Sequence, residues 1–224
     1  MLKLVIFDVD GTLIDSQGAI LAAMARTFEA AGHPLPARET VLGVVGLSLP
    51  QAMARLAPGL EPAGHARLAD LYKESFVALR RETGGEADTP FYSGAREAID
   101  RLDRAGYLLA IATGKARRGL DHMLDSHGLR PRFTALQTAD DAPSKPHPGM
   151  VLNCLAATGT DPAGAVVVGD TEYDMAMARA AGARAIGVGW GYHDRARLAA
   201  GGAERILAGF DDLDAALEEM VGAP

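Results

Sequence analysis

Short runs of apolar, largely β-branched residues recur along the chain, with helix-length amphipathic segments between them. The runs cover residues 4–7, 108–112, 135–138, 165–168 and 185–188. This alternation predicts repeated β-α units. A run that is apolar on both faces, such as Ala-Val-Val-Val at 165–168, indicates a parallel sheet covered by helices on both sides. Such sheets bind ligands beyond the carboxyl ends of their strands, so functional residues are expected there.

One long interval interrupts this alternation. Between Asp15 and about Tyr92 no strand-like run is found, whereas Ile20, Met24 and Phe28 recur every four residues as on a helix face. A separate domain in line with the rest is the alternative, but the first strand cannot form a sheet without the later ones. We therefore predict an α/β fold with a Rossmann-like parallel-sheet core, residues 1–15 and 86–224, and an inserted α-helical cap domain, residues 16–85.

Composition narrows the choice of partners. The 224 residues carry a formal net charge of -7, from 22 basic and 29 acidic side chains, which gives no cationic field for nucleic acid or an anionic membrane. Small ligands are the expected partners, and the oligomeric state stays open. The apolar start at residues 1–7 is too short for a signal peptide or a membrane span. A single cysteine, Cys154, cannot form an internal disulfide, which favours a reducing compartment, with the cytoplasm as the expected location.

Acidic side chains follow two of the predicted strands. Asp8 and Asp10 come directly after the first strand, in Asp-Val-Asp-Gly, and Asp170 and Asp174 follow the run at 165–168. At the ends of neighbouring parallel strands, about 5 Å apart, these four carboxylates would repel one another without a cation. Oxygen ligands without His or Cys suit Mg²⁺. A calcium loop of the EF-hand type is the alternative, but its glutamate and flanking helices are missing.

Groups suited to phosphate follow two other segments. Thr113 and Gly114 come after the run at 108–112, and their hydroxyl and amides can hold phosphoryl oxygens at a helix start. Lys145, in Ser-Lys-Pro-His-Pro, supplies a compact cation. Each signal alone is weak, because Thr-Gly is a common turn and an exposed lysine is usually just solvated. Together with the acidic residues, in this order along the chain, they indicate a phosphoryl-transfer site.

With these motifs the sequence resembles the phosphatases of the haloacid dehalogenase superfamily that carry an α-helical cap. The resemblance rests on Asp8-Val-Asp-Gly-Thr-Leu-Ile-Asp, Thr113, Lys145 and Gly-Asp170-Thr-Glu-Tyr-Asp174. It implies an Mg²⁺-dependent phosphomonoester hydrolase that works through an aspartyl-phosphate, with Asp8 as nucleophile and Asp10 as general acid/base. We expect Asp8, Asp170 and the Asp10 carbonyl to ligate the metal. Asp174 is expected to hold metal-bound water or to orient Lys145.

The sequence indicates the substrate less clearly than the type of reaction. Halide release needs no proton, so Asp10 favours a phosphate ester over a dehalogenase substrate. Residues 189–193, Gly-Trp-Gly-Tyr-His, resemble a segment of bacterial phosphoglycolate phosphatases, which makes 2-phosphoglycolate the leading candidate, although aromatic packing is the preferred interpretation of this segment. Thr-Gly-Lys at 113–115 departs from the asparagine that often follows the threonine in those enzymes, which weakens the transfer of substrate.

Other functions stay open at this stage. A β-phosphoglucomutase-like phosphomutase shares the whole set of motifs, and nucleotide or sugar phosphatases are further alternatives. The segment at 43–48, Gly-Val-Val-Gly-Leu-Ser, either faces the site and helps select the leaving group or is only a turn between helices. A phosphoryl-accepting receiver domain is disfavoured by the inserted helices, and a catalytically silent binding protein is disfavoured by the complete set of motifs.

Overall fold

A computed structural model describes residues 2–82 and 89–224. Within these ranges the chain forms a parallel sheet of six strands in the order β3-β2-β1-β4-β5-β6. The strands are β1 (Leu4–Phe7), β2 (Leu108–Ala112), β3 (Ala135–Gln137), β4 (Ala165–Gly169), β5 (Arg184–Val188) and β6 (Arg205–Leu207). The predicted α/β class and parallel sheet are confirmed.

The five predicted strands agree with the observed ones to within one residue at each end, and the sequence prediction lacked β6. This strand has three residues, pairs with β5 alone and begins at the exposed Arg205. Its short sequence lacks the apolar run that identified the others. Tertiary pairing at the edge of the sheet therefore defines β6, and local sequence does not.

Ten α-helices accompany these strands in the described part of the chain. They are α1 (Gln17–Ala30), α2 (Arg38–Leu42), α3 (Leu49–Leu56), α4 (Pro62–Glu82), α5 (Ala95–Ala105), α6 (Arg117–Ser126), α7 (Gly149–Thr158), α8 (Glu172–Ala180), α9 (Arg195–Gly201) and α10 (Leu213–Val221). None of the helices in these ranges is long and apolar enough to cross a membrane.

Side chains of β1 alternate between two apolar layers. Val5 and Phe7 pack with α5, α6 and α10 on one face, and Leu4 and Ile6 pack with α7, α8 and α9 on the other. All four residues are fully buried. Burial of aliphatic and aromatic side chains at roughly 1.5–3 kcal/mol each makes this central strand a rigid base for the residues that follow it.

Between β1 and β2 the described residues form no strand, and α1 to α4, here called the cap helices, precede α5 in this interval. Their apolar sides form a third cluster that includes Ile20, Met24 and Phe28, the helix face predicted from the sequence. Tyr173 of α8 belongs to the same cluster, so the cap helices pack onto the sheet domain next to the carboxyl end of β4. The predicted boundary at residues 85 and 86 lies outside the described residues, and the division into two domains stays a prediction.

Candidate active site

The register of the sheet brings three predicted site residues together. Phe7 of β1 pairs with Ile111 of β2 on one side and with Val168 of β4 on the other. Asp8, Thr113 and Asp170 follow these strands and therefore lie side by side at the carboxyl edge of the sheet. The Asp8 amide donates a hydrogen bond to the Val168 carbonyl at 2.9 Å, which fixes the start of the loop after β1.

Asp174 reaches the same edge from the first turn of α8. Thr171 caps this helix, and the two residues form a capping box: the Asp174 amide donates to Thr171 Oγ1, and the Thr171 amide donates to Asp174 Oδ2 at 3.1 Å. The Thr171 hydroxyl donates to the same carboxylate oxygen at 2.6 Å. The side chain of Asp174 is therefore oriented by local structure that the sequence Thr-x-x-Asp encodes.

Asp8, Asp170 and Asp174 form one buried group of carboxylates. One oxygen from each lies within 4.8 Å of the others, and their exposed fractions are 1%, 0% and 0%. Lys145 lies among them, completely buried, with Nζ 2.9 Å from Asp8 Oδ1 and 2.6 Å from Asp174 Oδ1. Three carboxylates face one ammonium, so the group carries an excess of buried negative charge.

Burial perturbs the acid strengths of these groups. Desolvation raises the pKa of Asp8 to about 6 from its ordinary 3.8, with the charge of Asp174 adding to the rise and Lys145 opposing it. Desolvation together with the charge of Asp8 also raises the pKa of Asp170. Burial alone would lower the pKa of Lys145, but Asp174 and Asp8 raise it above its ordinary value. The cluster thus favours any change that neutralises negative charge.

The donor set fits a hard divalent cation. Both oxygens of Asp8 are buried and accept no hydrogen bond of normal geometry from the described residues, so the contact with Lys145 is an ionic one. Three buried carboxylates around one ammonium are not fully compensated, and buried carboxylate oxygens are normally hydrogen-bonded, ion-paired or bound to a metal. Oxygen ligands without His or Cys match Mg²⁺. Asp8, Asp170 and Asp174 are therefore the side chains that would hold it.

Asp170 is held by neighbours on both sides. Thr12 Oγ1 donates to Oδ1 at 3.1 Å, and the Tyr192 amide donates to Oδ2 at 2.9 Å. A Cβ at Gly11 would lie 2.2 Å from Asp170 Oδ2, and one at Gly191 would lie 2.1 Å from Asp170 Cβ. Only glycine allows the two loops to close on this carboxylate, and Gly11 also has a positive φ of 86°.

The segment 189–193 contributes both aromatic packing and a backbone contact with Asp170. Trp190 packs against Phe210 and Tyr92, which agrees with the aromatic packing preferred from the sequence. The backbone of Tyr192, however, holds Asp170. Sequence reasoning could not find this contact, because a backbone amide leaves no signal in the residue type.

Asp10 lies apart from the buried carboxylates. Its two oxygens accept hydrogen bonds from Lys115 Nζ at 2.8 and 3.0 Å, and its carboxylate does not belong to the group of candidate metal ligands. The carbonyl of Asp10 stays a predicted ligand, and its side chain stays a predicted acid/base. The sequence did not indicate the pairing with Lys115, because 105 positions separate the two residues.

The phosphate-binding candidates Thr113 and Gly114 lie on the loop between β2 and α6. Thr113 is buried, and its Oγ1 accepts a hydrogen bond from the Lys115 amide at 3.3 Å. A Cβ at Gly114 would lie 2.5 Å from the carbonyl oxygen of Gly46. Glycine at this position therefore allows the segment 43–48 to approach the loop closely.

Segment 43–48 faces the site. Val44, Val45, Gly46 and Leu47 line a cavity of about 830 Å³ that also borders Asp8 and Asp10. The structure therefore agrees with the interpretation that places this segment toward the site, and its part in selecting the leaving group stays a prediction. The Ser48 amide donates to Ser144 Oγ at 2.8 Å, next to Lys145, which joins the cap helices to the loop that carries the lysine.

These features define a phosphoryl-transfer enzyme in which a helical insertion covers the carboxyl edge of a parallel sheet. Residues 5–188 match the family model described as haloacid dehalogenase-like hydrolase. The chain belongs to this family, and it is a phosphatase of the phosphoglycolate phosphatase-like kind.

Three curated relatives illustrate the similarity. A probable phosphatase, IndB, of Dickeya dadantii is 32% identical over 222 residues, covering 99% of this chain and 96% of its own. A phosphoglycolate phosphatase of Pseudomonas putida is 32% identical over 195 residues, covering 85% and 71%. The pyrophosphatase PpaX of Bacillus velezensis is 31% identical over 213 residues, covering 93% of each chain.

Solved structures support the fold. The structure of a protein described as a predicted phosphatase from Clostridium acetobutylicum superposes with a TM-score of 0.86 at 22% identity, covering 98% of this chain and 99% of that one. At this level of identity the likeness concerns the fold alone.

Proposed function

We propose that the protein is an Mg²⁺-dependent phosphomonoester hydrolase that forms an aspartyl-phosphate on Asp8 and acts on a small phosphorylated metabolite. The observation that carries the proposal is the buried group of Asp8, Asp170, Asp174 and Lys145, in which the Asp8 oxygens accept no hydrogen bond from the described residues. A carboxylate that borders a cavity and is ion-paired with a single lysine is placed to attack an electrophile. We also propose the cytoplasm as its location and keep the core and cap boundaries given above.

Each of the chain's own residues has a role in this proposal. Asp8 attacks the phosphorus atom while Asp10 gives a proton to the leaving oxygen. Asp10 then takes a proton from the water that hydrolyses the aspartyl-phosphate, a role typically worth about 10² to 10⁴ in rate. Thr113 and the amide of Gly114 hold phosphoryl oxygens, and Lys145 neutralises charge between Asp8 and the phosphate. Mg²⁺ bound by the carboxylates would act as a Lewis acid on a phosphoryl oxygen.

2-Phosphoglycolate is the leading candidate substrate. The name of the Pseudomonas putida relative supports it, and so does the ammonium of Lys115, which lies beside Asp10 where a leaving group would be. One relative is named a pyrophosphatase, PpaX, and the name of IndB gives no substrate, so other phosphorylated compounds have to be compared. A β-phosphoglucomutase-like phosphomutase and a nucleotide or sugar phosphatase stay as alternatives.

The test is a panel of phosphorylated acids, sugars and nucleotides and inorganic pyrophosphate, ranked by kcat/KM in the presence of Mg²⁺. We expect release of inorganic phosphate from at least one phosphorylated acid. The variant Asp8→Asn keeps the size of the side chain but removes the nucleophile, so we expect no turnover of any compound. Turnover by this variant at the wild-type rate, or inactivity of the wild type toward the whole panel, would contradict the proposal.

A further inference from the structure

Lys115 connects the proposed acid/base with the cap helices. Its Nζ bonds both oxygens of Asp10, and the two side chains are 14% and 13% exposed, so the pair lies at the wall of the cavity and is not free in solvent. The same Nζ lies 5.7 Å from the ring centroid of Phe76, which belongs to α4. Lys115 therefore contacts both the sheet domain, through Asp10, and the cap helices, through Phe76.

The Lys115 ammonium has hydrogen-bonding capacity beyond Asp10. A lysine carries three N–H donors, and the two contacts with Asp10 use two of them. No other described residue accepts a hydrogen bond from Lys115 Nζ, so the third can bind an anion in the cavity. Because Asp10 has to lie near the leaving oxygen to exchange a proton with it, an acidic group one carbon away from that oxygen comes within reach of Lys115.

The rest of the cavity wall indicates what else the leaving group is made of. Among the described residues, the carboxylates that line it are Asp8 and Asp10, and no asparagine, glutamine or glutamate does. Four cationic side chains besides Lys115 also line it, and none of them is a described hydrogen-bond partner of Asp10: Lys73, Arg80, Arg81 and Arg118. Apolar side chains make most of the wall, including Ile20, Met24 and Phe76. A wall that is apolar and cationic suits an anionic acid with a carbon body better than a neutral sugar, whose hydroxyls need several acceptors as well as donors.

We propose that Lys115 is a specificity-determining residue of this phosphatase: it binds a carboxylate on the carbon next to the ester oxygen, and the apolar wall of the cap helices takes the carbon body. The preferred substrates are then phosphomonoesters of hydroxy acids. The inference deepens the proposed function and rests on it, because it needs Asp10 at the leaving oxygen.

The experiment compares 2-phosphoglycolate with ethyl phosphate, in which a methyl group replaces the carboxylate. The wild type should prefer 2-phosphoglycolate by about 10-fold or more in kcat/KM. In Lys115→Met this preference should fall by about 10- to 100-fold, the effect of losing a hydrogen bond between charged groups. Lys115→Met also removes the hydrogen-bond partner of Asp10, which affects the hydrolysis of both esters. The ratio of their kcat/KM values therefore reports recognition of the carboxylate alone. Lys115→Arg keeps the charge and should retain most of the preference.

Controls separate this inference from the proposed function. Lys3→Met also removes a lysine, but Lys3 bonds the Val221 carbonyl away from the site and should leave the ratio unchanged. Hydrolysis of p-nitrophenyl phosphate, whose leaving group needs little protonation, reports whether each variant is folded and active. A wild type that does not prefer 2-phosphoglycolate, or a Lys115→Met ratio within about threefold of wild type, overturns the role of Lys115. Inactivity of the wild type toward every ester overturns the proposed function itself.

Discussion

Removal of the negative charge at Asp8 should stabilise the metal-free protein while it destroys activity. Burial raises the pKa of Asp8 from 3.8 to about 6. At about 1.4 kcal/mol for each pH unit, this difference means that ionised Asp8 costs the folded state about 3 kcal/mol. Asparagine is uncharged and nearly the same size, so Asp8→Asn removes this cost. Lys145 loses one ionic partner but keeps Asp174 at 2.6 Å.

The gain in stability should depend on pH in a defined direction. A carboxyl group whose pKa is raised by folding contributes stability below its unfolded pKa, and this contribution is lost as the pH rises through the folded pKa. The wild type should therefore lose stability relative to Asp8→Asn as the pH rises from about 4 to about 6. Above about pH 7 the gain of up to about 3 kcal/mol corresponds to a rise in Tm of roughly 6–12 °C for a chain of this size.

Urea denaturation in the presence of EDTA, followed by circular dichroism at several pH values, measures this effect. Asp10→Asn is the matched control, because the Asp10 carboxylate bonds Lys115 outside the buried group and its loss should give no comparable gain. An Asp8→Asn variant that is less stable than wild type at neutral pH would refute the electrostatic argument. So would a gain of the same size at about pH 4.

Three further outcomes follow from the site. EDTA should abolish phosphatase activity and added Mg²⁺ should restore it, measured as release of inorganic phosphate. Full activity in the chelator would contradict the metal proposal. Gly114→Ala places a Cβ 2.5 Å from the Gly46 carbonyl oxygen, so KM should rise by about 10-fold or more as segment 43–48 is displaced, with little change in Tm. Gly191→Ala places a Cβ 2.1 Å from Asp170 Cβ and should lower kcat by about 100-fold. Near-normal kinetics would mean that the loop relaxes without displacing Asp170.

Much of the fold follows from the sequence because the inner strands are buried on both faces. A strand such as Ala165–Gly169, fully buried, has to be apolar throughout and is therefore visible as a short run. Strand Arg205–Leu207 was not predicted, because an edge strand of three residues gains its structure from pairing with β5. The limits of sequence reasoning here lie at the edge of the sheet and not in its centre.

In the candidate site, too, some residues could be placed from the sequence and some contacts could not. Asp8, Thr113 and Asp170 could be placed together from the sequence, because parallel pairing puts the residues after neighbouring strands side by side. Asp174 could be added because a helical turn returns its side chain toward the strand end. The contact between Lys115 and Asp10 and the amide of Tyr192 on Asp170 join distant loops. No local pattern encodes such contacts, so they required the structure.

The structure gives a physical reason for glycine at position 114, where phosphoglycolate phosphatases often have asparagine. From the sequence, the missing asparagine after Thr113 only weakened the comparison with phosphoglycolate phosphatases. In the structure the Gly46 and Leu47 carbonyl oxygens lie where a side chain at 114 would begin, 2.5 and 2.9 Å from its Cβ position. Segment 43–48 therefore occupies space that an asparagine would need. The contacts that an asparagine would offer a leaving group have to come from elsewhere in the cavity, and Lys115, the next residue, is the nearest charged side chain along the chain.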